Sequence, residues 1–199
     1  MSECIVTHMA SILSTSDQRR ETVVSSAIAT FANTGYLGTP IAKVAEHAKI
    51  SPAYVFKLFP SKESLFVAAL ERCFELIVQT LADGAEASAD RTPEGILDAM
   101  GGAYAELISD RELLMMQVHA QSASDVEEVR RALRSGMGRV ASFASSRSGA
   151  SDIAVQRFMA YGQLCHMIVT TDLESVDADW ARALVAGVRH PEGKEVKTS

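Results

Sequence analysis

Two helix-start signals follow each other closely in this chain, each a hydroxyl residue with proline directly after it: Thr39-Pro40 and Ser51-Pro52. A hydroxyl can cap a helix by accepting a backbone N–H, and proline at the first helical position forfeits no intrahelical bond. The pattern predicts one helix from Pro40 to Ala48, capped by Thr39, and another from Pro52 to about Leu58, capped by Ser51. Only Lys49 to Ser51 separate them, which is the spacing of a helix-turn-helix. Ile41, Val44, Ala45, Ala48, Ile50, Val55 and Phe59 recur at helical intervals and would form the small core that fixes the crossing angle.

The remainder reads as helix almost throughout. Val24, Ala27, Ile28 and Phe31 fall on one face of a first helix that Gly35 stops. Ser61 or Lys62 opens a longer helix with Phe66, Ala69, Leu70, Cys73 and Ile77 on one stripe, fading at Asp83 and Gly84 into a polar loop that lasts to Arg91. Further helices are expected from Pro93 to Ile108 after a Thr92 cap, and from Arg111 to Gln121 after Asp110. Another should run from about Val126 to Ser145, opened by a Ser124 and Glu127 capping box. Ser151 starts one that reaches about Thr170, and Asp177 starts the last, with Trp180, Ala183, Leu184 and Gly187 on one face. The fold class is therefore all-α, about nine helices. An N-terminal three-helix helix-turn-helix unit, residues 17–77, is joined to a helical bundle, residues 78–189, and a polar tail over 190–199 is expected to fray.

Charge is divided unevenly along the 199 residues, whose net charge is −6. Between Asp17 and Glu63, Arg19, Arg20, Lys43, Lys49, Lys57 and Lys62 outnumber Asp17, Glu21, Glu46 and Glu63, leaving +2, whereas residues 64–199 carry −7. An acidic body with a locally basic head suits contact with a polyanion at one end. The stretch Phe158 to Val169 is too short to span a bilayer and includes Gln163 and His166, so a buried helix is expected and no membrane partner. Residues 1–16 lack the features of an export signal, which places the protein in the cytoplasm. Cys4, Cys73 and Cys165 are odd in number and widely spaced, and their expected state is the reduced thiol, with no metal site and no cofactor. No nucleophile elbow, phosphate-binding loop, zinc-protease motif or dinucleotide fingerprint occurs, and an enzyme is not expected.

The ungapped run from Thr39 through Leu65, with Phe31, Gly35 and Tyr36 upstream, resembles the DNA-binding segment of the TetR family of repressors. The resemblance covers residues 19 to about 75 and implies a sequence-specific transcriptional regulator, most simply a repressor that a small apolar ligand releases from a near-palindromic operator in duplex DNA. It implies DNA contacts at Thr39, Lys43, Lys49, Ser51, Pro52, Ala53, Tyr54, Lys57 and Lys62. In this reading Thr39, Lys57 and Lys62 meet phosphates, while Ala53 and Tyr54 read the major groove, with Ser51 and Lys57 beside them. Lys49 and Ala53 replace frequent glycines of the family, and Lys49 is expected to bear about 1 kcal/mol of strain in a left-handed turn. Phe56 and Leu58 stand where the family usually has residues that donate to phosphate.

For the body, the helix over 152–170 is apolar nearly all round. It can be core within one subunit or, as the resemblance implies, pair with the Trp180 helix across a two-fold axis in a homodimer. The interface residues would be Val155, Phe158, Met159, Gly162, Trp180, Leu184 and Val188. A cavity for a small-molecule effector is expected among Met100, Tyr104, Met115, Met116, His119, Phe143, Tyr161, Cys165 and His166, although such residues at helical spacing also make ordinary core. The competing class is a helical protein-interaction module without specific DNA binding, and an all-α enzyme is a more distant one.

Overall fold

The computed structural model describes residues 15–186, and every described element is helical. The order is α1 Thr15–Gly38, α2 Ile41–His47, α3 Pro52–Leu58, α4 Lys62–Ala87, α5 Pro93–Leu107, α6 Arg111–Ser122, α7 Glu127–Ser148, α8 Asp152–Thr171 and α9 Asp179–Val185. A single 3-10 turn, Leu173–Ser175, lies between α8 and α9. The expected elements are all present. Met1 to Ser14, with Cys4, and Gly187 to Ser199, with Val188 and the expected frayed tail, lie outside the described residues.

The head is built on α1, α2, α3 and the start of α4. Phe31 and Tyr36 both meet the Phe66 ring edge-on, which ties the end of α1 to α4. Gly35 sits at φ 71°, ψ 178° and kinks α1, a backbone conformation that glycine alone adopts at little cost. The Thr39 cap is a correction. Pro40 occupies the cap position without a side-chain bond, so α2 begins one residue later than expected. The Thr39 hydroxyl instead donates to the carbonyl of Gly35, where α1 kinks, at 2.7 Å and accepts from the Thr34 hydroxyl at 2.6 Å. Ser51 caps α3 as expected, accepting from the Tyr54 N–H at 3.2 Å.

Lys49 is left-handed, φ 55°, as expected of a residue that replaces glycine in this turn. Replacing Lys49 with Gly should therefore stabilise the protein by roughly 0.5–1 kcal/mol, part of the relieved strain being offset by glycine's freedom in the unfolded chain. A thermal melt would register this as a rise of about 1–4 °C for a chain of this size, and an unchanged or lower midpoint would contradict it.

Other boundaries depart from expectation too, among them the end of α7 at Ser148 and the start of α9 at Asp179. Helix α4 does not fade at Asp83 and Gly84 but continues to Ala87. A Cβ on Gly84 would come within 2.7 Å of the Ala103 Cβ and 2.8 Å of the Ala99 carbonyl, so glycine there marks a close helix crossing with α5 instead of a stop. The Ser124 and Glu127 capping box does not form. Turn bonds from Ser124 N–H to Gln121 and from Val126 N–H to Ala123 carry the chain into α7, and Glu127 pairs with Arg130. The core runs continuously from head to body because α4 packs on α1, α5, α6 and α7 in turn. Cys73 and Cys165 are buried free thiols, and no described helix is long and apolar enough to cross a membrane.

Candidate functional site

At the head, burial and exposure alternate along α3. Val55 and Phe59 are fully buried, and Ser51, Pro52, Ala53, Phe56 and Lys57 are exposed with Tyr54 half-covered beside them. The protruding edge of α3 is thus its first turn, propped from beneath by two apolar side chains. Its far end is pinned by a residue that periodicity did not single out: the Arg20 guanidinium lies 4.1 Å from the centre of the Phe59 ring and donates to the Leu58 carbonyl at 2.9 Å. Nothing in the local sequence of α1 marks Arg20, since its partners are 38 and 39 positions away.

The remaining candidate cations divide. Lys43, Lys49 and Lys57 are exposed, and the Lys57 ammonium lies 6.0 Å from the Tyr54 ring. Lys62 is partly exposed and leans over the Tyr36 ring at 4.9 Å, donating to the Leu37 carbonyl at 3.3 Å, and its partial burial lowers the ammonium pKa. Tyr36 itself donates to Glu63 at 2.5 Å, and burial together with that carboxylate raises its pKa to about 12. Lys62 thus braces α1 against α4 from a partly exposed position. Thr39 is 0% exposed, so the phosphate contact expected of its hydroxyl is corrected.

A second concave feature lies in the body, a cavity of about 430 Å³ between α4, α5, α6, α7 and α8. Of the residues expected to line it, Tyr104, Tyr161 and Cys165 do. Met100 and Met116 are fully buried core, and Met115 and Phe143 pack against that core. His119 points the other way, its Nε2 donating to the Ala32 carbonyl at 3.2 Å and its ring lying against Gly35. His166 stands behind Tyr104, with Nε2 2.7 Å from the phenol oxygen. Burial lowers the His166 pKa to about 4, and Cys165 is raised to about 11 for the same reason. The Tyr104 phenol is pushed further up, chiefly by burial.

Residues outside the expected set complete the cavity. Phe74, Leu81, Leu97 and Val140 supply apolar walls, Gln117 a buried amide, and Glu94, Asp98 and Arg157 an exposed charged mouth. Gln117 was legible as the one amide on the apolar face of α6, next to Leu113, Leu114 and Met116.

The expected interface face of α8 is corrected in part. Val155 is buried, and Phe158, Met159 and Gly162 face the cavity, with Phe158 against Gly101 and Gly162 against Tyr104. The outward side carries Ala160, Leu164 and Met167, with Met167 59% exposed and Leu164 half-covered, while the exposed Ile153 stands at the rim of the cavity. Trp180, 58% exposed, and Leu184 are further exposed apolar side chains, on α9.

Residues 23–69 match the family described as bacterial regulatory proteins, tetR family. Over this segment the chain is similar to the TetR family. The head is 33% identical over 58 residues to the HTH-type transcriptional regulator RutR of Escherichia coli, a stretch equal to 29% of this chain and 27% of RutR. The match thus spans about a quarter of the length of the curated relatives. The TetR-type fold continues through the body. A TetR-like transcriptional regulator from Rhodococcus sp. RHA1 superposes with a TM-score of 0.61 at 19% identity, covering 84% of this chain and 91% of that one. The transcriptional regulator FadR of Bacillus subtilis, solved in complex with stearoyl-CoA, superposes with a TM-score of 0.63 at 15% identity over 85% and 99% of the two chains.

Proposed function

We propose that this protein is a sequence-specific DNA-binding transcriptional regulator of the cytoplasm. It acts as a homodimeric repressor that a small apolar ligand releases from a near-palindromic operator. The observation that carries the reading is the first turn of α3: Ser51, Pro52, Ala53 and Tyr54 stand clear of the surface over the buried Val55 and Phe59. A helix held in that way can lower its leading edge into a major groove, where Ala53 and Tyr54 meet base edges. Lys43, Lys49 and Lys57 supply the phosphate contacts, which position the helix without reading sequence. In this division residues 17–77 bind DNA, and residues 78–189 hold the effector and the partner subunit.

The outward apolar side chains of α8, together with Trp180 and Leu184 exposed on α9, support pairing of two copies about a two-fold axis. Such a dimer carries two α3 helices roughly 34–36 Å apart and needs two half-sites related by the same symmetry. The cavity supports the effector reading, since its size and its few convergent polar groups match a small-molecule site. FadR shows that a protein of this fold accommodates an acyl-CoA.

Selecting bound duplexes from a random pool tests the proposal, with inverted repeats as the expected product. Lys57→Ala should then weaken binding to all recovered sequences alike and flatten the salt dependence by about one unit of log–log slope. Recovery of no consensus, or an unaltered slope, would contradict the assigned contacts.

A further inference from the structure

The hydrogen bonds behind the cavity run in one direction and end on its wall. His166 is almost wholly buried, and its Nδ1 has no partner. A buried N–H without an acceptor is the rarer and costlier defect, so the ring proton belongs on Nε2, which donates to the Tyr104 oxygen at 2.7 Å. The single phenol proton then goes to Gln117 Oε1 at 3.3 Å. That bond fixes the amide with its nitrogen away from Tyr104, where Nε2 donates to the Leu113 carbonyl at 3.2 Å. An amide nitrogen carries two protons, and the second has no described acceptor. Gln117 is 5% exposed and lines the cavity, so this unspent donor is available to whatever fills it.

The surroundings of that donor are uncharged. Phe74, Ile77, Leu97 and Val140 wall the inner cavity, whereas Glu94, Asp98 and Arg157 all lie exposed at the mouth. An ionised ligand group placed beside Gln117 would be stripped of water with no opposite charge to meet it. We infer that the cavity takes an uncharged, largely apolar molecule bearing one hydrogen-bond acceptor, such as a ketone, ester or amide carbonyl, which the spare Gln117 N–H receives. Gln117 is the binding residue. Tyr104 and His166 are positioning residues that keep the amide from turning its oxygen inward. This inference rests on the ligand-responsive reading above and adds the chemistry of the ligand to it.

Fluorescence titration of the full chain without DNA tests it with three probes: the neutral naphthyl ketone prodan, the matched alkyl naphthalene lacking the carbonyl, and the anionic anilinonaphthalene sulfonate. Prodan should bind about tenfold more tightly than the alkyl analogue, the upper range for one neutral hydrogen bond, and more tightly than the sulfonate. Gln117→Met should bring prodan and the alkyl analogue to equal affinity and shift bound prodan emission to the blue, since its carbonyl loses a donor. Tyr104→Phe should shrink the preference without abolishing binding. If Gln117→Met fails to fold, the preference of the wild-type protein still decides. Equal wild-type affinities, or the sulfonate binding more tightly than prodan, would overturn the assignment and leave the ligand site standing. Binding of no probe would remove the ligand site too, whereas duplex selection judges the DNA reading independently.

Discussion

Phe59→Ala is expected to destabilise the protein by about 3–5 kcal/mol and to abolish DNA retention at concentrations that saturate the wild-type protein. The ring is 1% exposed at the end of α3 and belongs to the continuous core. Its removal leaves a cavity beneath the recognition edge and takes away the surface on which the Arg20 guanidinium lies. Arg20 also donates to the Leu58 carbonyl, so both fixings of the far end of α3 weaken together. Thermal melting should fall by on the order of 10 °C for a chain of this length, and gel shift should show the lost retention. Phe59→Leu, which keeps most of the apolar volume, should cost on the order of 1 kcal/mol and preserve binding. Intact melting and retention in Phe59→Ala would mean that α3 is held by something other than this core.

The second large effect is acid destabilisation through His166. Its folded pKa is lowered to about 4 from an ordinary 6.5, because burial disfavours the imidazolium. The unfolded chain therefore binds the proton more readily between these values, and stability rises with pH across that window. The neutral-imidazole contribution is full above about pH 6.5 and is lost as pH falls toward 4. The loss amounts to about 3 kcal/mol at the lower end. Denaturant titrations at neutral pH and near pH 4.5 should show this fall in the wild-type protein and a shallower one in His166→Gln. Equal slopes in the two proteins would show that the imidazole is not sequestered. The same protonation would require a donor at Nδ1, where no acceptor waits, and would disturb the bond to Tyr104.

The helix count, the two proline-started helices and the buried stripe of α4 were legible in the sequence, because periodicity and capping are local properties. So was the left-handed turn at Lys49, through the resemblance, since Lys49 stands where the family frequently has glycine. The site was legible only where exposure follows from local helix geometry, as it does for Ser51 to Lys57. The Thr39 hydroxyl is taken up by the Gly35 carbonyl four residues back, where α1 kinks, and Lys62 reaches the Leu37 carbonyl 25 positions away, a contact that no local pattern reports. Gly84 looked like a terminator and is a crossing point, since a missing side chain serves either purpose until the neighbouring helix is known.

The cavity belongs wholly to tertiary structure. Met116, His119 and Tyr104 all lie on apolar helices, yet one is core, one leans on α1 and one lines the cavity. Which side of α8 faces inward is likewise set by the position of α5, since that helix is apolar on nearly every side. Spacing along the chain determined the helices and the exposed edge of α3, because backbone hydrogen bonding and capping act within a few residues. Packing alone decided which buried polar groups found partners and where an empty volume remained, because both depend on side chains brought together from distant helices.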